Sequence, residues 1–491
     1  MRFSDLRLQW CVVTVLGLAL TGCMVGPDFH SPASPKTEAY TAPPLPIKTV
    51  STRTTGAAGK SQYFVLAHDI PAEWWSLFHS SALDNLIRTG LTNSPNLSAA
   101  EAALREAKET YNAQVGASLY PAVNAQLGAE RERLSEAGFG AGNTSTEFSL
   151  YNASVNVSYT LDVFGGARRE LEALRSQVDY QRFEVEAAYL TLTSNIVTTA
   201  ITAASLAAQI HATHELIHSE EKQLGIVKKQ LHLGGVSNAD VLSQETQLAT
   251  TRASLPPLEQ SLSQSQHALS VLVGAVPSEG PTLEFDLSQL ELPTHLPVSL
   301  PSSLVRNRPD IRASEELLHA ASAGIGVATA NLYPQITLNG SYGWESTAPS
   351  ALFKSSTAMW SVGGGLLQPI FNAGSLQAKR RAAIAGYEQA QAQYHQIVLQ
   401  AFQNVADTLR ALQHDAETFR AQNEAEIAAR GSLRLTQKQF HLGGVSYLSL
   451  LVAERQYQQA RISRIQAQAA RYNDTAALFQ ALGGGWWNRK T

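Results

Sequence analysis

The hexapeptide His232-Leu233-Gly234-Gly235-Val236-Ser237 returns unchanged 209 positions later as His441-Leu442-Gly443-Gly444-Val445-Ser446. Other landmarks return at nearly the same interval. Leu119-Tyr120-Pro121 matches Leu332-Tyr333-Pro334, Pro95 matches Pro309, and Phe164 and Tyr180 match Phe371 and Tyr387. Such an interval is several times longer than a solenoid or propeller repeat. The chain therefore reads as one large helix-and-strand module present twice, and its function should belong to the pair.

The N-terminus carries an address. Arg2 and Arg7 precede an apolar run from Trp10 to Leu20, and Leu20-Thr21-Gly22-Cys23 follows. Residues 1–22 read as an export signal, too short and wrongly flanked for a permanent membrane helix. The tail of the signal resembles a bacterial lipobox, whose cleavage leaves Cys23 as an acylated N-terminus. An ordinary signal with an incidental cysteine is the competing reading. Cys11 lies within the signal, so the mature chain keeps one cysteine and cannot form an internal disulfide. A formal charge of −4 over 491 residues gives no basic field for nucleic acid. Beyond the signal the sequence shows no second apolar stretch near the ~18 residues of a spanning helix, so any membrane crossing is expected to use strands.

Residues 23–60 hold Pro27, Pro32, Pro35, Pro43, Pro44 and Pro46, which block helix and central strand alike, and read as a tether or wrapped arm. Trp74-Trp75 should anchor a core or interface. The first copy, 61–273, opens with helical spacing through Leu97, Ala100, Leu104, Ala107 and Tyr111. After Pro121 the period becomes two: Val123, Ala125 and Leu127, then Tyr151, Val155, Val157 and Tyr159, alternate with polar residues. This predicts an amphipathic hairpin over 121–163, and the second copy, 306–485, predicts another over 334–371. Each strand approaches the ~9 to 11 residues that a tilted strand needs to cross a bilayer. A soluble sheet with one wet face would show the same alternation.

Proline-free stretches follow each hairpin, over 165–232 and 374–440, each ~100 Å long if continuous at ~1.5 Å per residue. Phe183, Ala187, Leu190, Ser194, Val197, Ile201 and Ala204 form a narrow stripe that fits a coiled-coil seam. Returning helices are predicted over 238–273, with a break or offset at Pro256-Pro257, and over 447–482. A proline-rich joint, 274–305, separates the copies, and 486–491 is a short tail. Four strands are too few to close a membrane barrel, whose smallest members use about eight, so the chain must oligomerise. Helices of ~100 Å far exceed a ~30 Å hydrocarbon core and must project into water. Conduction is the activity this architecture implies.

The start at Leu20 to Cys23, Trp74-Trp75 with Phe78 and Leu83-Asp84, Ser94-Pro95-Asn96-Leu97, the doubled layout and the closing Leu482-Gly483-Gly484-Gly485-Trp486 resemble the TolC-like outer-membrane efflux factors, in their NodT/OprM-type lipoprotein branch. The resemblance covers essentially the whole mature chain. It implies a mixed α and β membrane protein: a homotrimer whose twelve strands form one outer-membrane barrel continuous with a long periplasmic helical barrel. Such a protein is the exit duct of a tripartite pump. It works with a periplasmic adaptor and an inner-membrane transporter, commonly of the resistance-nodulation-division type, and does no chemistry of its own. No cofactor is implied beyond the lipid on Cys23. The family's periplasmic gate maps onto Leu448, Val452 and Arg455; relatives in this branch carry Asp where this chain has Val452, and Glu454 lies on a different face of the helix. Closure is expected to rest on apolar packing by Leu448 and Val452, with Arg455 meeting another acidic partner. A plain coiled-coil seam is the competing reading of these three residues. Adaptor tips are expected at the two turns, Gly234, Gly235, Val236 and Ser237, and Gly443, Gly444, Val445 and Ser446.

Two other functions compete. His214-Glu215-Leu216-Ile217-His218 fits the pattern of a zinc metallopeptidase, with two His one turn apart and a Glu to activate water. The extended form would need Gly and His where Glu221 and Leu224 stand, and the second copy has no His at the matching place. Coincidence is the favoured reading, with His211 a surface or interhelical residue and no metal site. A lipid-anchored periplasmic coiled-coil adaptor would also use long helical hairpins; the paired bilayer-length strands argue for the duct.

Overall fold

A computed structural model describes residues 24–37, 39–54, 56–66, 68–135, 145–281 and 286–489. The signal 1–22, Cys23, the tip of the first hairpin, and Lys490 and Thr491 lie outside the described residues.

In chain order the main elements are β1 (Tyr63–Leu66), α1 (Ser81–Asn93), α2 (Pro95–Leu119), β2 (Ala122–Ser135), β3 (Ser145–Leu161), α3 (Gly166–His232), α4 (Asn238–Leu272), β4 (His295–Val298), α5 (Pro301–Asn307), α6 (Pro309–Ala330), β5 (Gln335–Ser346), β6 (Ala358–Leu367), α7 (Ser375–His441) and α8 (Tyr447–Ala481). The doubling is exact in length for the long elements. α3 and α7 both have 67 residues, and α4 and α8 both have 35. The chain divides into two compact units, one built from 103–182 and 313–395 with the N-terminal segment to Pro32, the other from 33–102, 183–312 and 396–491.

In the first unit both hairpins join into one antiparallel sheet of order β2-β3-β5-β6. Its register sorts side chains by chemistry. Val123 faces Val157, Val157 faces Gly340 and Gly340 faces Val362; two residues along, Ala125, Val155, Tyr342 and Trp360 form the next row. The rows between them run Asn124, Asn156, Ser341 and Ser361, and the last two hydroxyls lie 2.8 Å apart. Successive residues of a strand point to opposite faces, so one face is apolar and the other polar. The apolar face is not covered: Val123, Leu127, Leu338, Tyr342, Trp360 and Val362 are all exposed. The strands have 14, 17, 12 and 10 residues, and among the described residues nothing pairs with the outer edges of β2 and β6.

The same unit seats the start of the arm. Val25 donates its N–H to Phe164 O at 3.1 Å, and Gly26, at φ +97°, lies so close to Gly326 that a side chain there would meet its Cα. The guanidinium of the buried Arg169 binds Asp28 and Glu172, each at 2.7 Å, and reaches Val25 O at 3.3 Å. Such pairing is what makes a buried cation tolerable. His319 Nε2 meets Glu172 Oε1 at 2.9 Å and its ring stacks on Phe29 at 4.3 Å.

The second unit holds the larger core. Trp74 stacks on Phe479 at 5.3 Å, and Ile70, Phe78, Leu83, Ile87, Ile196, Ile201 and Tyr472 are buried in the same unit. The two Trp side chains thus anchor a core, at roughly 1.5 to 3 kcal/mol for each large apolar group buried. The buried Arg471 of α8 donates to Ala58 O, to Lys60 O at 2.7 Å and to Thr49 Oγ1 at 3.2 Å, fixing the later part of the arm.

Four expectations are corrected. The stripe on α3 is broad, not narrow, because Leu192, Thr193, Ile196, Ala200 and Ala203 are buried beside the residues of the seam. An 18-residue stretch of α3 also reaches a mean hydropathy of 1.3, contrary to the expected absence of a second such stretch; 56% of it is buried, as in the core helix of a folded unit. Pro256 and Pro257 do not interrupt α4. They leave the carbonyls of Arg252 and Ala253 without helical donors, and both residues are exposed, where solvent can satisfy them. The joint between copies is not a plain linker: His295–Val298 pairs in parallel with Tyr63–Leu66, burying Leu296 and Val298.

Candidate functional site

The repeated hexapeptide closes two helices in the same way. After α3, Gly234 takes φ +73°, its N–H bonds Leu231 O at 3.0 Å, and the N–H of Gly235 bonds Gln230 O at 2.8 Å. After α7, Gly443 takes φ +74°, its N–H bonds Phe440 O at 3.0 Å, and the N–H of Gly444 bonds Gln439 O at 2.8 Å. This is the pair of bonds that ends a helix on a left-handed residue, which is why the sequence needs glycine there. Each turn then starts the returning helix on a serine. Ser237 accepts from Asp240 N and donates its own N–H to Asp240 Oδ2 at 2.8 Å, a full capping box; Ser446 accepts from Ser449 N at 3.3 Å. Leu233 and Leu442, at 85% and 87% exposure, project from the turns, while Val236 packs on a core of Val227, Val241, Tyr447, Leu450 and Leu451. The eight residues of the two turns are thus fixed by backbone hydrogen bonds and caps, and each turn is preceded by an exposed leucine.

Leu448, Val452 and Arg455 fall at i, i+4 and i+7 of α8, on one stripe. Leu448 is 65% exposed, Val452 is half-buried and Arg455 is exposed, and among the described residues Arg455 forms no ion pair. The opposite side of the same turn is buried. Tyr447 donates to Gln244 Oε1, and Gln244 Nε2 donates to Glu220 O at 3.1 Å. Glu454, at 3% exposure, and Glu220, at 1%, are both buried here. Sequence reasoning placed Glu454 off the stripe but did not anticipate this acidic pair; the signal was a glutamate at a seam position, four and three residues after Leu450 and Leu451.

The metallopeptidase motif gains no site. His214 and His218 are exposed, and Glu215 is held by Arg461 at 2.5 Å, which keeps its carboxyl below the ordinary range and makes it a poor base. Among the described residues no three His, Cys, Asp or Glu side chains gather as metal ligands. His211 is exposed and lies 3.7 Å from Glu215. Cys23 lies outside the described residues; its neighbour Met24 packs against Gly165.

Known proteins share this arrangement. The model of the outer membrane efflux protein family matches residues 86–275 and 300–484, one stretch for each copy. The chain belongs to the outer membrane efflux protein family. The pyoverdine export outer membrane protein OpmQ of Pseudomonas aeruginosa is 31% identical to this efflux protein over 442 residues, 88% of this chain and 90% of that one. The cation efflux system protein CusC of Escherichia coli K12 is 30% identical over 483 residues, 97% of this chain and 99% of that one. The solved structure of the outer-membrane channel OprN superposes with a TM-score of 0.83 at 26% identity, covering 94% of this chain and 100% of that one. The efflux protein is a channel of the outer membrane with the mixed helix-and-strand fold of that group. The adaptor reading falls with this result, since these relatives are themselves outer-membrane channels and outer-membrane efflux components.

Proposed function

We propose that this efflux protein works as a homotrimer, the passive exit duct of a tripartite pump, and catalyses nothing. One observation carries the reading: a four-stranded sheet with both edges open, apolar on an exposed face and polar on the other. Open edges present unpaired N–H and C=O groups that cannot remain unsatisfied in hydrocarbon. Pairing β6 of one subunit with β2 of the next, three times over, closes twelve strands, a membrane barrel of ordinary size. The apolar rows then meet lipid and the Asn and Ser rows face a wet lumen. The exposed Leu233 and Leu442, beside the turns at Gly234 to Ser237 and Gly443 to Ser446, suit docking by a periplasmic adaptor, which an inner-membrane transporter, of the resistance-nodulation-division class by family resemblance, would energise. Leu448, Val452 and Arg455 form the gate, an acyl-modified Cys23 holds the N-terminus at the membrane, and small molecules such as drugs or other toxic compounds are the cargo. Mass photometry of the detergent-purified mature protein tests the assembly: a particle of three chains is expected, and a monomer that still inserts into vesicles overturns it.

A further inference from the structure

Glu220 of α3 and Glu454 of α8 are almost completely buried, and in each the Oε2 atom has no hydrogen-bond partner. Glu220 Oε1 is satisfied from α4 by Thr251 Oγ1 at 3.0 Å and Gln247 Nε2 at 3.3 Å. Glu454 instead lines a cavity of about 100 Å³ with Leu216, Ser219, Leu433, Tyr457 and Arg461. The charged and titratable groups around it come from several helices. From α3 come Glu220 and, across the cavity, Glu215, which is already paired with Arg461 of α8. α4 contributes the uncharged Gln244, Gln247 and Thr251 around Glu220, with Asp240 acting on Tyr447; α7 contributes Leu433. On α8 itself lie Tyr447, Tyr457 and Arg461, and Tyr447 donates its hydroxyl proton to Gln244 rather than to either carboxyl.

We propose that Glu220 and Glu454 form a proton-operated latch on the buried side of the helix whose other side carries Leu448, Val452 and Arg455. With a proton on the pair, α8 rests against α3 and α4. With both carboxyls ionised, two like charges are buried in neighbouring positions while the cation lining the cavity, Arg461, is already engaged by Glu215, and the first turns of α8 move away. The link to channel opening rests on the gate reading above; the latch itself does not.

Burial, and then the charge of Glu220, push Glu454 up to about 7, and burial pushes Glu220 up as well. A carboxyl raised in the folded state favours the packed form most at acid pH, and the advantage is lost as the pH rises through about 7. The small cavity beside Glu454 gives the side chain somewhere to swing, and water somewhere to enter, when the charge appears.

The test uses the full-length lipidated channel in vesicles, comparing the parent protein with Glu454→Gln and Glu220→Gln. Either substitution keeps the shape of a protonated carboxyl. Amide hydrogen exchange over residues 447–458 is expected to be equal in all three proteins at pH 5.5, and on the order of tenfold faster in the parent than in either variant at pH 8. Equal exchange at pH 8 overturns the latch. Single-channel conductance separates the second link. If exchange divides as expected while the opening of parent and variants keeps the same pH dependence, the latch stands and the gate assignment fails.

Discussion

Arg471 and Glu454 lie on the same helix and are both buried, for opposite reasons. Arg471 is surrounded by acceptors from the arm, Ala58 O, Lys60 O and Thr49 Oγ1, so its charge is used as a clamp, although burial still lowers it to about 10. Glu454 shares its cavity with Arg461, but that guanidinium is held by Glu215 and Glu454 Oε2 is left without a hydrogen-bond partner, so it is the less comfortable of the two. Leu448 differs from both, since nothing among the described residues covers this leucine. A partner across the channel axis would. If Leu448 and Val452 close the gate by apolar contact, Leu448→Ser is expected to raise antibiotic uptake and vesicle leakage several-fold without lowering the thermal stability of the trimer. Leakage equal to the parent's would remove Leu448 from the gate. None of these burial states could be read from the chain, because each depends on which helix face meets a neighbour.

At the scale of elements, the legible parts are those governed by local rules. The hairpins were announced by two-residue alternation after Pro121 and Pro334, and the long helices by proline-free runs ending in Gly-Gly. The left-handed residue after α7 is equally local in origin, and it yields a prediction. Gly443→Val forces a β-branched residue to φ +74°, at a cost of about 1 to 3 kcal/mol. The expected result is a trimer that still forms, with the turn made protease-sensitive and efflux reduced; limited proteolysis checks it, and a resistant turn would refute it. What escaped the sequence was set by distant partners. β1 and β4 have four residues each and exist only because they meet across more than 200 positions of chain. α4 survives two prolines because that stretch is wet, a fact of its surroundings and not of its composition.

At the scale of the whole molecule, the sheet is the least self-sufficient part. Val362 of β6 is exposed on the apolar face and sits on an edge strand whose outer side no described residue pairs. In the assembled barrel it would face lipid, and Val362→Arg should destabilise the membrane-embedded trimer by about 2 to 4 kcal/mol if it lies near the bilayer midplane. Heat-resistance of the trimer band on a gel measures this directly; an unaffected band would place the residue in water instead.

Duplication has been treated differently in different places. The hexapeptide turns are letter-for-letter copies, but the residues matching Leu448, Val452 and Arg455 in the first copy, 209 positions earlier, are Ala239, Ser243 and Thr246. In the proposed trimer, three subunits would present six turns with the same six residues and only three of the proposed gating faces. Such an assembly would have near sixfold symmetry where it greets its neighbours and threefold symmetry where it shuts.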